Sequence, residues 1–476
     1  MTEKLEGKKL QEKLTRKWHN IWEKVDKDEK EKIFQLAEEY KEFLDKGKTE
    51  RESAAEIIRI AKENGYISID EIVEKKIDVK PGMKIYANNK DKAVAMFVIG
   101  KESIQKGMHI VGSHIDAPRI DLKPFPLYED SEIALLKTHY YGGIKKYQWV
   151  SLPLALHGVI IKKNGEKVNV VIGEDEKDPV LFITDLLPHL AKDQMTKKMT
   201  EGITGEGLNA IIGSIPYDDE EIKEKIKLNV LKLLNDKYGI TEDDLTTAEF
   251  ELVPAGKARD VGMDRSLISA HGHDDRVCAF TSLKAMLDIE ETPNKTAVAL
   301  FVDKEEVGSY GNTGMHSKFF ENIVSELIEL TEESYSEIKT KRALSNSKVL
   351  SGDVSAAFDP NYPSVSDKQN SPFINKGITL VKYTGVKGKA GSNDANAEYI
   401  SEIRRIFDEN DVIWQIGELG KVDQGGGGTI AYILANYGME VVDCGVPVLS
   451  MHAPYELVSK ADVYMTYKGY RAFYIA

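Results

Sequence analysis

Glu305 and Glu306 stand side by side where an apolar run stops. The stretch Thr296–Ser309 reads TAVALFVDKEEVGS. Its first seven residues are β-branched or apolar and follow turn-forming Pro293 and Asn294, so a buried strand is expected over Thr296–Val302. Side chains alternate along extended backbone, and two glutamates at a strand's end should point different ways. One could hold a metal while its neighbour faces a reacting water. An ordinary solvated turn explains the charged residues Asp303–Glu306 equally well. What else the chain can bring beside them decides between the two.

Several other groups come just after predicted strands. His114 comes after the apolar run Met108–Gly112, in the block SHIDAP. Asp116, two residues on, falls on the same side of an extended strand end. A metal-binding imidazole needs such a partner to fix its surroundings. Asp353 follows the strand Lys348–Leu350, and His452 follows the largely apolar Glu440–Met451. Asp274 and Asp275 stand where a helix carrying Phe280, Leu283, Ala285 and Leu287 begins, a position that favours acids.

In an open α/β sheet, ligands collect at the carboxyl ends of the strands, so these scattered positions can converge. Two histidines with three or four carboxylates suit a two-metal site. One carboxylate bridges, and each metal keeps its own histidine and acid. Such metals lie about 3.5–4 Å apart and lower the pKa of a shared water. A carboxylate that binds neither metal then takes the proton. The Glu305-Glu306 pair offers one acid for each task. Imidazole and carboxylate without thiolate fit zinc, cobalt or manganese.

Other candidates have plainer explanations. His109 sits inside an apolar run and reads as a core histidine, and His189, in LLPHL, reads by itself as structural. His271 and His273 precede the acidic pair in a glycine-containing loop and read as backing or solvent-facing groups. Gly425–Gly428 could cradle a phosphate at a helix N-terminus. No GxxxxGK[ST] accompanies them, and close backbone approach to a substrate explains four glycines as well.

The elements that must position these groups begin with helices over residues 1–80. Ile33, Leu36, Tyr40, Phe43 and Leu44 share a face, and Thr49 with Glu52 forms a capping box. Trp18 and Trp22, four apart, are expected to pack into a core. From about Pro124 to Met263 the texture changes to short β-like runs, Trp149–Leu156, Val159–Lys163, Val168–Ile172 and Phe250–Val253, with a helix-like Asp219–Tyr238. This reads as a separate, β-rich insertion. Strands and helices then alternate to the end of the chain.

The chain has 476 residues, enough for two or three domains and a large core. Its net charge of −14 argues against nucleic acid or an anionic membrane as the main partner. Two cysteines, Cys278 and Cys444, make neither a disulfide framework nor a thiolate zinc site. The charged N-terminus lacks a signal core, and no apolar run approaches the roughly 20 residues of a membrane helix, so a cytoplasmic protein is expected.

The blocks SHIDAP, the Asp274-Asp275 turn, DKEEVGS, SGDVSAAFDPNYP and VPVLSMHAP, in this order, resemble the M18 metalloaminopeptidases, the aspartyl aminopeptidase family. The resemblance covers nearly the whole chain from about residue 80. It implies an α/β fold: a doubly wound, mixed-sheet catalytic domain of the dinuclear zinc peptidase type, interrupted by a β-rich dimerisation domain. The texture places these at 1–123 with 264–476, and at 124–263. It implies an aminopeptidase that removes the N-terminal residue of peptides, often Asp or Glu, with two divalent metal ions per subunit. His114, Asp274, Glu306, Asp353 and His452 are then metal ligands, with Asp274 bridging and Asp275 its rival for that role. Glu305 is the general base, and Asp116 supports His114.

The resemblance further implies self-association as a tetrahedral homododecamer, in which His189 of the insertion reaches a neighbour's active site. Lys382 is placed to pair with an acidic substrate side chain, with Lys376 and Lys387 close by in sequence. Two stretches depart from the family's pattern: Gly425–Gly428 lacks the usual Cys or Thr, and KGKAGSNDAN replaces a polar-aromatic stretch. A non-catalytic, metal-stabilised shell or cargo-type protein of the same architecture is the competing expectation.

Overall fold

The structure is a computed structural model and describes residues 2–476. Its framework is a nine-stranded sheet in the order Ile67–Ser68, Lys84–Asn89, Ala93–Val98, Thr296–Val302, Met108–His114, Lys348–Ser351, Glu440–Gly445, Ile378–Val381, Trp414–Ile416. The four strands from Thr296–Val302 to Glu440–Gly445 run parallel, with Val302 opposite His114 and Ser351 opposite Gly112. Antiparallel pairings join these four to the flanks, and the outermost pair on each flank is parallel again, so the sheet is mixed.

Strands buried on both faces read as continuous apolar runs. All seven residues of Thr296–Val302 are buried. Ala297, Ala299 and Phe301 join one core, with the helices Lys27–Lys46, Glu50–Glu63, His273–Leu287, Ala397–Glu409 and Lys460–Ile475. Val298, Leu300 and Val302 join the other, under Phe319–Thr331 and Glu337–Ser345. Each large apolar side chain so buried contributes about 1.5–3 kcal/mol. That anchorage is what allows charged groups to be held at the strand's end.

A second sheet occupies Arg119–Pro254. Its seven strands are antiparallel, and its first, Ala248–Pro254, also pairs with Pro153–Ile161, so the sheet closes on itself. Trp149, Leu154, Leu156 and Leu252 fill its interior. Gly158 lies inside the continuous strand Pro153–Ile161, where the sequence suggested a break between two strands. A Cβ there would collide with the Glu249 carbonyl, so glycine marks close approach of the neighbouring strand.

A third sheet of five short strands joins Arg259–Val261, Leu267–Ala270, Glu456–Ser459, Pro447–Leu449 and Ser355–Ala356. Their length hides them in the sequence, yet three site segments adjoin them.

The capping box at Thr49 and Glu52 is formed. Trp18 is not in a core: it is exposed, with the Arg16 guanidinium 4.5 Å from its ring. The helix expected over Asp219–Tyr238 spans Lys225–Tyr238. His271 and His273 are both buried rather than solvent-facing, and His273 bonds the Tyr40 hydroxyl at 2.7 Å.

Candidate metal centre

Parallel pairing sets His114 and Val302 level, and the chain after Val302 turns into the short helix Glu305–Val307. Lys304 (φ 66°) and Gly308 (φ 93°), both left-handed, bound that turn. Ser351 ends its strand two residues before Asp353. Asp274 follows the short strand Leu267–Ala270, and His452 lies in the loop between Pro447–Leu449 and Glu456–Ser459.

Asp274 is the pivot of the cluster. Its Oδ1 lies 3.1 Å from His114 Nε2, and its Oδ2 lies 3.2 Å from His452 Nε2. Glu306 Oε2 is 3.5 Å from His452 Nε2, and Glu305 Oε2 is 3.9 Å from His114 Nε2. Donor atoms of His114, Asp274 and Asp353 fall within 4.8 Å of one another, and so do those of Asp274, Glu306 and His452. Asp274 belongs to both sets. His114, Glu305 and Glu306 form a third grouping at the same spacing. Asp275 turns away, and its Oδ2 accepts the His114 backbone N–H at 3.2 Å.

Both imidazoles are held from behind. His114 Nδ1 donates to the Asp116 carbonyl at 3.0 Å, and His452 Nδ1 donates to the Gly143 carbonyl at 2.9 Å. Each ring thereby turns Nε2 toward the carboxylates, as a metal-binding histidine must. Asp116 lies outside the donor sets. Its carboxylate accepts the backbone N–H of Glu305 and of Glu306, both at 3.2 Å, and the Tyr141 hydroxyl at 2.8 Å. It fixes the turn that carries both glutamates.

The electrostatics follow from burial and crowding. Burial would raise Asp274, but hydrogen bonds from His114 and His452 outweigh it and hold the carboxyl well below its ordinary value. Glu305 is pushed up to about 7, first by burial and then by the charges of Asp116 and Asp274. Glu306 and Asp353 are raised well above the ordinary carboxylate value, again by burial first and neighbouring acids second. Burial lowers His452, but the Asp274 hydrogen bond and the Glu306 charge carry it to about 10. The buried Glu306 Oε1 has no hydrogen-bond partner among the described residues. Crowded acids, an orphaned oxygen and imidazoles with Nε2 turned inward form a donor set that fits divalent cations, and cations there would draw the acids to their charged forms.

Three supporting features are not apparent from the sequence. The segment Tyr141–Gly143, at the end of a second-sheet strand, reaches into the centre through the Tyr141 hydroxyl on Asp116 and the Gly143 carbonyl on His452. At Gly142 (φ +74°) a Cβ would sit 3.3 Å from Glu306 Cβ, so glycine is required for the approach. Glu456 braces both sides of the cluster. It accepts the backbone N–H of Asp274 at 2.9 Å and of His452 at 2.6 Å.

His189 and Lys382 do not join the cluster. His189 is exposed on the turn Pro188–Leu190, and Lys382 is half exposed, its ammonium 3.9 Å from Asp394. Neither lines the cavity of about 490 Å³ that contains Asp274, Glu305, Glu306, Asp353 and His452.

The sequence pattern of the family described as "Aminopeptidase I zinc metalloprotease (M18)" matches residues 43–474. A Clostridium acetobutylicum protein named "Probable M18 family aminopeptidase 1" is 56% identical over 460 residues, covering 97% of this chain and 98% of that protein. The crystal structure of an M18 family aminopeptidase from Thermotoga maritima superposes with a TM-score of 0.92 at 46% identity, covering 97% of this chain and 99% of that one. That of aminopeptidase I from Clostridium acetobutylicum gives 0.90 at 52%, with the same coverage. The mApe1 dodecamer of yeast shares the fold at 22% identity, with a TM-score of 0.75 over 92% of this chain and 96% of that one. The chain therefore belongs to the M18 aminopeptidases, a family of zinc metalloproteases.

Proposed function

We propose that this protein is a two-zinc aminopeptidase that releases single N-terminal residues from peptides. The observation that carries the proposal is Asp274, which turns one carboxylate oxygen toward each histidine. His114 and Asp353 would hold one ion, Glu306 and His452 the other, and Asp274 both. The ions, when bound, supply Lewis acidity that activates a water and polarises the scissile carbonyl. Cobalt or manganese could serve the same donors.

Glu305 lines the cavity beside this set and is the general base. A carboxylate in that place can accept a proton and return it to the leaving amine. Asp116 keeps it in place through the backbone of Glu305 and Glu306. Asp116 is thus a positioning residue, one step removed from the reacting atoms.

Self-association through the second sheet is part of the proposal. Leu186, Leu187, Leu190, Met195 and Met199 are exposed around His189, an unusual concentration of apolar side chains for free surface. Burial against a second copy would cover them and bring His189 toward that copy's site. A tetrahedral homododecamer is the assembly proposed, supported by the shared fold of the yeast dodecamer. A cytoplasmic location is proposed too. Among the described residues no helix is long and apolar enough to cross a membrane. A non-catalytic shell has no observation in its favour, since residues suited to both roles, base and ligand, converge on one cavity.

The test is Glu305→Gln. Turnover of aminoacyl substrates should fall about 10²–10⁴-fold with zinc content and melting temperature retained. Near-normal turnover would remove Glu305 as the base.

A further inference from the structure

If the protein is an aminopeptidase, the wall of its cavity bears on which first residue it accepts, an inference that rests on the function proposed for the site. Away from the ligands, that wall includes Val381, Leu419, Tyr432, Met451 and the glycines Gly426–Gly428, alongside the hydroxyl residues Ser309, Ser355, Thr384 and Thr429. A Cβ at Gly428 would meet nothing within 4 Å, and one at Gly427 only a Leu419 methyl at 3.7 Å. Gly427 and Gly428 leave open space beside the apolar residues, which suits a long aliphatic stem, whereas Gly426 is packed against Val386.

One ionisable group with an acidic side chain interrupts that wall, Glu418. It is half-buried, and its Oε1 accepts the Tyr383 hydroxyl. Among the described residues no lysine or arginine lines the cavity. Lysines close to the lining residues lie outside it: Lys382 and Lys389 are 3.9 and 3.0 Å from Asp394, Lys389 sits over the Tyr383 ring at 3.9 Å, Lys304 pairs with Asp303 at 3.2 Å, and Lys421, three residues after Glu418, is exposed. An acidic first side chain would meet Glu418 with no lysine or arginine of the same chain in the wall to offset the repulsion. A lysine or arginine would lay its stem on Val381, Leu419 and Met451 and bring its charge to Glu418.

From this wall we infer that Glu418 selects peptides whose first residue is basic. This runs opposite to the acidic preference that the family resemblance implies. A different role for Glu418, binding the α-amine shared by every substrate, predicts a different pattern and is separable from it.

The experiment measures kcat/KM of the zinc-loaded full chain on lysyl, arginyl, leucyl and glutamyl p-nitroanilides, for wild type, Glu418→Gln and Glu418→Lys. Zinc content and melting temperature are measured in parallel. Wild type should rank lysyl and arginyl above leucyl, and leucyl above glutamyl. Glu418→Gln should lower the lysyl-to-leucyl ratio about tenfold, and Glu418→Lys should move the preference toward glutamyl. Equal losses on lysyl and leucyl substrates would overturn the inference in favour of α-amine binding. A wild-type preference for leucyl or glutamyl would overturn it without any variant, even if the substitutions disturb folding. No release from any substrate would overturn the aminopeptidase function and this inference together.

Discussion

The two halves of the proposed metal centre are built differently. His114 ends one parallel central strand and Asp353 comes two residues after the end of another, strands whose register is set by neighbours on both sides. The His114 side chain is only 2% exposed. Glu306 and His452 instead occupy a one-turn helix and a loop between short strands, and His452 has a left-handed φ of 63°. The His452 side chain is 34% exposed. This half takes its rigidity from outside the main sheet, from the Gly143 carbonyl, from Glu456 and from Tyr141 acting through Asp116. One half is held by the sheet, the other by braces. Braces that cross from the second sheet tie the insertion to the chemistry of the first.

Unequal construction predicts unequal hold on the ions. Against a chelator, zinc should leave in two phases, with the fast phase from the Glu306–His452 half. His452→Ala should abolish the fast phase and lower turnover at least about hundredfold. A single phase in the wild type, or a fast phase that survives His452→Ala, would break the comparison.

The braces can be weakened alone. Tyr141→Phe removes the hydroxyl from Asp116 while leaving the ring stacked with Arg119, whose guanidinium is 3.9 Å from it. It should lower kcat about tenfold with little change in KM and speed the fast phase of zinc release. Unaltered kcat and release would show that the second sheet does not support the centre.

The smallest effect is on the stability of the zinc-free protein. The Glu305 carboxyl lies at about 7 in the fold against an ordinary 4.5, and His452 at about 10 against 6.5. Groups raised in this way stabilise the fold below their unfolded values, and that contribution is lost as pH rises through their folded values. The depressed acids Asp274 and Asp116 are charged across this range in both states and do not oppose the trend. Buried His109, His271 and His273, lowered by burial, do oppose it near pH 6.5, but they are outnumbered by further raised acids, Glu306, Asp353, Glu456 and Asp462. The melting temperature of the zinc-free protein should therefore drop by roughly a few degrees between pH 5 and 8. Zinc should flatten the slope. A zinc-free protein that grows more stable over that interval would contradict the picture of crowded, partly protonated acids.

The sheet-held half is the one most legible in the sequence. Thr296–Val302 and Met108–Gly112 announce themselves as apolar runs, and the polar and charged residues after them stand out because folding does not require them there. Asp274 could not be separated from Asp275 by residue type. The fold separates them, by turning one toward the imidazoles and the other onto the His114 backbone. The braces stayed hidden for a physical reason. Gly143 acts through its carbonyl, Tyr141 through one hydroxyl, and Glu456 through two backbone bonds, and none of these leaves a compositional mark. The five-stranded sheet that positions Glu456 consists of strands too short to show a period. Lys382 lies one residue past the strand Ile378–Val381 with its ammonium 3.9 Å from Asp394, a direction that its place in the sequence does not disclose.

The central claim is that Asp274 is shared between two ions. Anomalous diffraction from crystals of the zinc-loaded protein tests it most directly. The account predicts two peaks about 3.5–4 Å apart, one on either side of the Asp274 carboxylate, the first beside His114 and Asp353 and the second beside Glu306 and His452. A single peak at full zinc loading, or two peaks of which only one touches Asp274, would contradict it.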